Sequence, residues 1–271
     1  MRTAIALDLP AAGSVFVIFR PGTREPAFTR IAHEGAVVAD ARDASRVDPG
    51  VPPPIQGLQP GEVLQPWVDA PLPSCELQPG GRQLVAWQAG RYMLTRADNS
   101  NATVVAARTR TLPVIGPWTL SFPPGWDTPE RIELSQLQPW STLADPATRA
   151  FAGTATYGCT LTLAASGPDT RLLLDLGRVA EIAEIVVNGK PVATLWGPPF
   201  RADITPFVTA GANRLEVKVT STWFNRLVYE ASLPKEQQKT WATNTPKAGA
   251  PLGVAGLVGP VEIHVGQSFD L

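Results

Sequence analysis

The sequence predicts an all-β chain: a β-sandwich over residues 111–271, preceded by a smaller, Pro-rich β region over 1–110. Three observations carry this. The chain holds 28 Pro and 23 Gly residues, which break helices and supply turns. Short runs of alternating apolar residues recur every ten to fifteen positions, as in Leu215, Val217 and Val219. No long helix-period pattern separates them, so a sandwich rather than an α/β fold is expected.

In the N-terminal region, residues 3–9 and Val15–Phe19 read as a hairpin across the turn at 10–14. A lone hairpin is marginal in water, so it must pack on something: a second copy, a catalytic domain or another partner. Residues 40–82 are punctuated by prolines and read as extended segments and turns, with Trp67 and Val68 as anchors. A second hairpin closes the region between 83 and 107, its strands at Arg91–Arg96 and Thr103–Ala107 joined across Asp98 and Asn99.

The pattern sharpens after Val114. Trp118, Leu120 and Phe122 alternate. Residues 126–149 are polar and read as a long loop with one helical turn near Leu134–Leu137. Tyr157, Cys159, Leu161 and Leu163 share one strand face. Arg171–Leu176 is a strand covered on both faces. Glu181–Val187 and Lys190–Trp196 form a hairpin through Asn188-Gly189, both of which accept positive φ. Val261, Ile263 and Val265 alternate inward, placing Glu262 and His264 outward.

Composition excludes several functions. Apolar residues make up 44% and charged residues 17%, so a core forms. A net charge of −1 offers no footprint for nucleic acid or an anionic membrane. No run reaches the roughly 20 apolar residues of a membrane helix. Residues 1–19 alternate rather than form the continuous apolar stretch of a signal peptide, so export would come only as part of a longer protein. Cys75 and Cys159 read as two free thiols. His33 and His264 have no metal-ligand or triad spacing around them, and no phosphate-binding glycine loop is present, so neither metal nor cofactor is expected.

The positive signal lies between residues 188 and 241, where aromatics and planar polar side chains gather in the connections. Trp196, Trp223 and Trp241 are candidates to stack on the C–H faces of sugar rings. Asn188, Arg201, Asn225 and Arg226 are candidates for the bidentate hydrogen bonds that orient hydroxyls. The structural alternative is that Phe200 and the tryptophans plug the sandwich ends, Asp203 caps the turn before Thr205, and Arg226 pairs with a carboxylate. If the chain hydrolysed glycosides itself, Asp203, Glu230 and Glu236 would be the carboxylates to test, with Tyr229 as an auxiliary group.

An ordered series of motifs resembles a known family. It runs from Gly116-Pro117-Trp118 with Phe122, through Gly153–Tyr157, Leu174–Val179 and Val187–Lys190. It continues with Leu195-Trp196, Pro199-Phe200-Arg201, Asp203-Ile204-Thr205 and Gly211–Val217, and ends at Trp223–Leu227. It is similar to the C-terminal sugar-binding domain of family 106 glycoside hydrolases, the α-L-rhamnosidases, and more loosely to the N-terminal jelly-roll domain of family 2. The hairpin at 13–19 resembles the segment preceding it in those enzymes. The resemblance implies a galactose-binding-like jelly-roll sandwich beside a catalytic barrel that carries the acids. A barrel needs about 250 residues, and no βαβ alternation occurs here, so those acids are not carried over. The family continues Ile-Gly-Asp after its Asn-Arg-Leu motif, where this chain has Val228-Tyr229-Glu230. The expected function is therefore a carbohydrate-binding accessory module, for a rhamnoside or galactoside, without the barrel. The alternatives are a compact glycosidase or a purely structural interaction module.

Overall fold

A computed structural model describes residues 28–40, 71–78 and 81–271. The hairpin expected at 3–19 and the anchors Trp67 and Val68 lie outside the described residues. In chain order the strands are β1 (Phe28–His33), β2 (Ala36–Asp40), β3 (Cys75–Leu77), β4 (Gln83–Ala86), β5 (Gly90–Arg96), β6 (Asn101–Ala106), β7 (Arg110–Pro113), β8 (Trp118–Ser121) and β9 (Arg131–Leu134). Then come α1 (Pro146–Arg149), β10 (Thr154–Leu163), β11 (Thr170–Asp175), β12 (Arg178–Ala180), β13 (Ile182–Val187), β14 (Lys190–Leu195), β15 (Arg201–Asp203) and β16 (Gly211–Thr220). The chain ends with α2 (Phe224–Glu230), β17 (Gly256–Gly259) and β18 (Glu262–Asp270). The fold is all-β, and none of the described helices is long and apolar enough to cross a membrane.

The chain divides into two compact units, one of residues 1–112, 166–173 and 264–271, the other of 113–165 and 174–263. In the first unit an antiparallel sheet runs β2-β1-β5-β6. The 83–107 hairpin is present as β5 and β6, with Arg91 opposite Val105, and Asn99 adopts the positive φ its turn needs. β4 pairs with both β3 and the end of β18. Ile31, Leu84, Tyr92 and Leu94 form this unit's core. His264 was expected to face outward. It is buried instead, with Nδ1 3.0 Å from the Thr111 hydroxyl, because the partner supplies what a buried imidazole requires.

The second unit is the sandwich. Its principal sheet has the order β14-β13-β16-β10-β8-β9. Alternation sends one face of each strand inward, and cross-strand register aligns those faces. Leu120 opposes Tyr157, Tyr157 opposes Val217, and Val217 opposes Ile185, so one buried row crosses four strands. Each such Leu or Ile contributes about 1.5–3 kcal/mol by leaving water. β12 pairs with β17, and both lie against β16, covering this face from the other side. The Asn-Gly turn closes β13 onto β14 with φ of 52° at Asn188 and 76° at Gly189.

Two local expectations are corrected. The turn predicted near Leu134–Leu137 is absent: strand β9 ends at Leu134, and the turns come later, as a 3₁₀ segment at Trp140–Thr142 and as α1. α1 starts where Asp145 accepts from the Thr148 N–H at 2.7 Å and proline occupies the first helical position. Residues 224–230, read as part of a loop, form α2. No capping side chain announces it, so its signal is absent from the sequence.

Candidate functional site

The register of the principal sheet decides which candidate residues meet. Thr220 pairs with Thr154 and Ile182, and Ala183 pairs with both Val219 and Leu195. The segments just beyond Thr220 and Leu195 and just before Thr154 and Ile182 therefore leave the sheet at one end. That end carries Trp196, Trp223 and α2. Asn188 is bonded to Arg214, six residues back along β16, about 20 Å away at 3.3 Å per residue. Asn188 is thus at the opposite end and does not converge with the tryptophans.

The polar candidates are largely engaged within the protein. Asn188 donates to Phe207 C=O at 3.0 Å and to Asn213 Oδ1 at 2.8 Å, and accepts from the Arg214 N–H at 2.9 Å. Arg201 Nε donates to Asp175 at 2.6 Å, and both side chains are largely buried. Asp203 accepts from the Thr205 N–H at 2.8 Å. Buried Asn225 donates to Gly253 C=O and accepts from Gly253 N–H, both at 2.8 Å, pinning α2 to the 251–255 segment. Glu236 is exposed in a 3₁₀ turn at Lys235–Gln237.

Around Arg226 the structure builds something the sequence does not reveal. Arg226 is 1% exposed, and its Nε donates to Glu230 at 2.5 Å, one helical turn later. Its guanidinium lies over the rings of Trp126, at 5.3 Å, and Tyr229, at 5.4 Å. Nη1 is buried with no hydrogen-bond partner among the described residues. Glu230 also accepts from the Thr240 N–H at 2.8 Å and from the Thr240 hydroxyl. Burial alone would raise its carboxyl. The hydrogen bonds from Thr240, Lys239 and Arg226 outweigh that and hold it below its ordinary value. Lys239 donates to Gly125 C=O at 2.9 Å and to Asp127 at 2.8 Å, which holds Asp127 low as well. The 238–240 segment is thereby tied to both α2 and the 125–127 loop.

This buried framework supports exposed rings. Trp126 and Trp223 meet at 5.6 Å between centroids, tilted by 56°. Trp223 is 48% exposed, Trp241 87% and Trp196 78%. Isolated exposed aromatics are ordinary, so what distinguishes this end is the Trp126–Trp223 contact above the buried Arg226. Trp126, Lys239 and Thr240 were missed by sequence reasoning, because Trp126 stands alone in a polar loop and two of its partners, Trp223 and Arg226, are about 100 residues away. Burial pushes the Cys159 thiol up to about 12 and the Cys75 thiol up to about 11, which favours the protonated form of both.

Comparison with known proteins identifies a family. Residues 96–243 match the family model described as glycosyl hydrolases family 2, sugar binding domain. A Formosa agariphila protein named "Putative beta-glucuronidase" is 35% identical over 190 residues, covering 60% of this chain and 16% of that protein. The structure of a rhamnosidase from Novosphingobium sp. PP1Y superposes with a TM-score of 0.57 at 36% identity, covering 64% of this chain and 17% of that one. The chain therefore spans about a sixth of the length of these two relatives.

Proposed function

We propose that this chain, which belongs to the family of glycosyl hydrolase family 2 sugar binding domains, is a carbohydrate-binding accessory module of a larger rhamnosidase-like or glucuronidase-like hydrolase. The observation that carries the reading is the cluster of exposed tryptophans at one end of the sandwich, supported by the buried Arg226–Glu230 pair. Trp223 and Trp241 supply stacking faces, while Asn225 and Arg226 act from within by holding α2 and Trp126 in place. Asp203, Glu230 and Glu236 play no hydrolytic part in this reading. Asp203 serves its own turn, and both oxygens of Glu230 accept hydrogen bonds from Arg226 and Thr240. Chemistry belongs to a catalytic domain of the larger protein, and this module holds the sugar near it.

Isothermal titration of the chain with rhamnosides, galactosides and glucuronides tests the reading. At least one should give saturable heat at millimolar sugar or below, weakened about 2- to 10-fold in Trp223→Ala, the magnitude of one aromatic contact. Flat heats for all three sugars, with a cooperatively folded protein, overturn it.

A further inference from the structure

We infer that Asn188 is a latent site of self-modification: the folded chain holds its amide back from deamidation with its own hydrogen bonds, and conversion to aspartate breaks that network irreversibly. This goes beyond sugar binding and does not depend on it.

The reaction needs only the pair Asn188-Gly189 and water. The Gly189 backbone nitrogen gives up its proton to base and attacks Asn188 Cγ. The Cγ–Nδ2 bond breaks, ammonia leaves, and a cyclic imide remains. Water opens the imide at either carbonyl, giving aspartate or a β-linked aspartate. Glycine obstructs the attack least, because it carries no Cβ. Asn188 and Gly189 are both exposed, so burial does not keep water and base away.

What the structure sets against the reaction is hydrogen bonding. Attack requires the amide to turn its carbon toward Gly189 N. Nδ2 donates to Phe207 C=O at 3.0 Å and to Asn213 Oδ1 at 2.8 Å, and Oδ1 accepts from the Arg214 N–H at 2.9 Å. All three bonds oppose that turn. Asn213 does not follow the movement: it is 1% exposed, accepts from the Thr209 N–H, and donates to Thr209 C=O and Gly211 C=O. Protection therefore belongs to the closed turn. β14 is an edge strand and half exposed, so the turn opens by local fraying rather than by unfolding of the whole sheet.

The product does not fit back. A carboxylate only accepts, and at position 188 it would face two other acceptors, Phe207 C=O and Asn213 Oδ1. Asn213 cannot offer its own Nδ2 without leaving its bonds to the 209–211 segment. The β-linked product lengthens the two-residue connection between the paired Val187 and Lys190, which fixes the register of the hairpin.

Ageing the wild-type chain in mildly alkaline buffer, folded and in urea, tests this by peptide mapping that separates Asn, Asp and β-linked Asp. Asn99-Ser100 is the internal reference, an exposed turn asparagine whose side chain makes no hydrogen bond among the described residues. In urea Asn188 should react faster than Asn99, because glycine follows it. In the folded chain the order should reverse, with Asn188 slowed at least about 10-fold. Asn188→Asp should lower the urea midpoint or abolish the cooperative transition. Equal rates at Asn188 in the folded and unfolded chain, or an order that does not reverse, overturns the protection. An unchanged midpoint in Asn188→Asp overturns the lesion.

Discussion

The two ends of the principal sheet solve opposite problems with similar residues. At the Asn188 end, two asparagines close on themselves. Asn188 and Asn213 share a hydrogen bond and satisfy Phe207 C=O, Thr209 C=O and the N–H groups of Thr209 and Arg214. At the α2 end, Asn225 is also satisfied internally and Arg226 Nε is paired with Glu230, but they lie beneath an exposed tryptophan, Trp223. Amides in connections thus do not by themselves mark a binding surface. What separates the ends is apolar area left in solvent over a rigid polar base.

The largest expected effect comes from breaking that base. Arg226→Ala leaves Glu230 buried without its cation and should cost about 3–5 kcal/mol in urea unfolding, with a shift in Trp126 emission. Replacing both residues by apolar side chains, Arg226→Met with Glu230→Leu, should recover much of the stability but not the placement of Trp126. If the single and double variants lose equal stability, the pair is not the brace described here.

Asn188→Ala should come next. It removes the acceptor of the Arg214 N–H and the donor to Phe207, and places alanine at positive φ. A loss of about 1–3 kcal/mol is expected from thermal or urea unfolding, with sugar affinity at the far end retained. A loss of affinity without a loss of stability would reverse the assignment of the two ends.

Trp241→Ala should do the converse: less than about 0.5 kcal/mol in stability, since the ring is exposed, and about 2- to 10-fold in affinity. The mildest perturbation is acid. Glu230 has a folded value below its unfolded 4.5, so its contribution is complete above pH 4.5 and is lost as pH falls through the folded value. Urea midpoints measured from pH 7 to 3 should be flat and then fall, and Glu230→Gln should blunt the fall. A steeper decline in the Gln variant would point to other carboxylates.

Much of the fold is legible in the residues. Leu215, Val217 and Val219 alternate because a strand turns each successive side chain to the opposite face, and Asn188-Gly189 closes its hairpin because both tolerate positive φ. The site is less so. α2 lacks a capping side chain, and the partners of Arg226 come from position 126 on one side and from 229 and 230 on the other. His264 fits the outward phase of its strand, yet it is buried because Thr111, 153 positions away, offers a hydroxyl.

The strands and hairpins with clear alternation were therefore determined by the sequence alone: period-two alternation, turn chemistry and proline placement act over a few neighbouring residues, without reference to the rest of the chain. Only the tertiary structure decided that Trp196 and Trp223 share an end while Asn188 does not. That depends on pairing between strands distant in sequence, whose register is set by many weak side-chain contacts acting together rather than by any one motif.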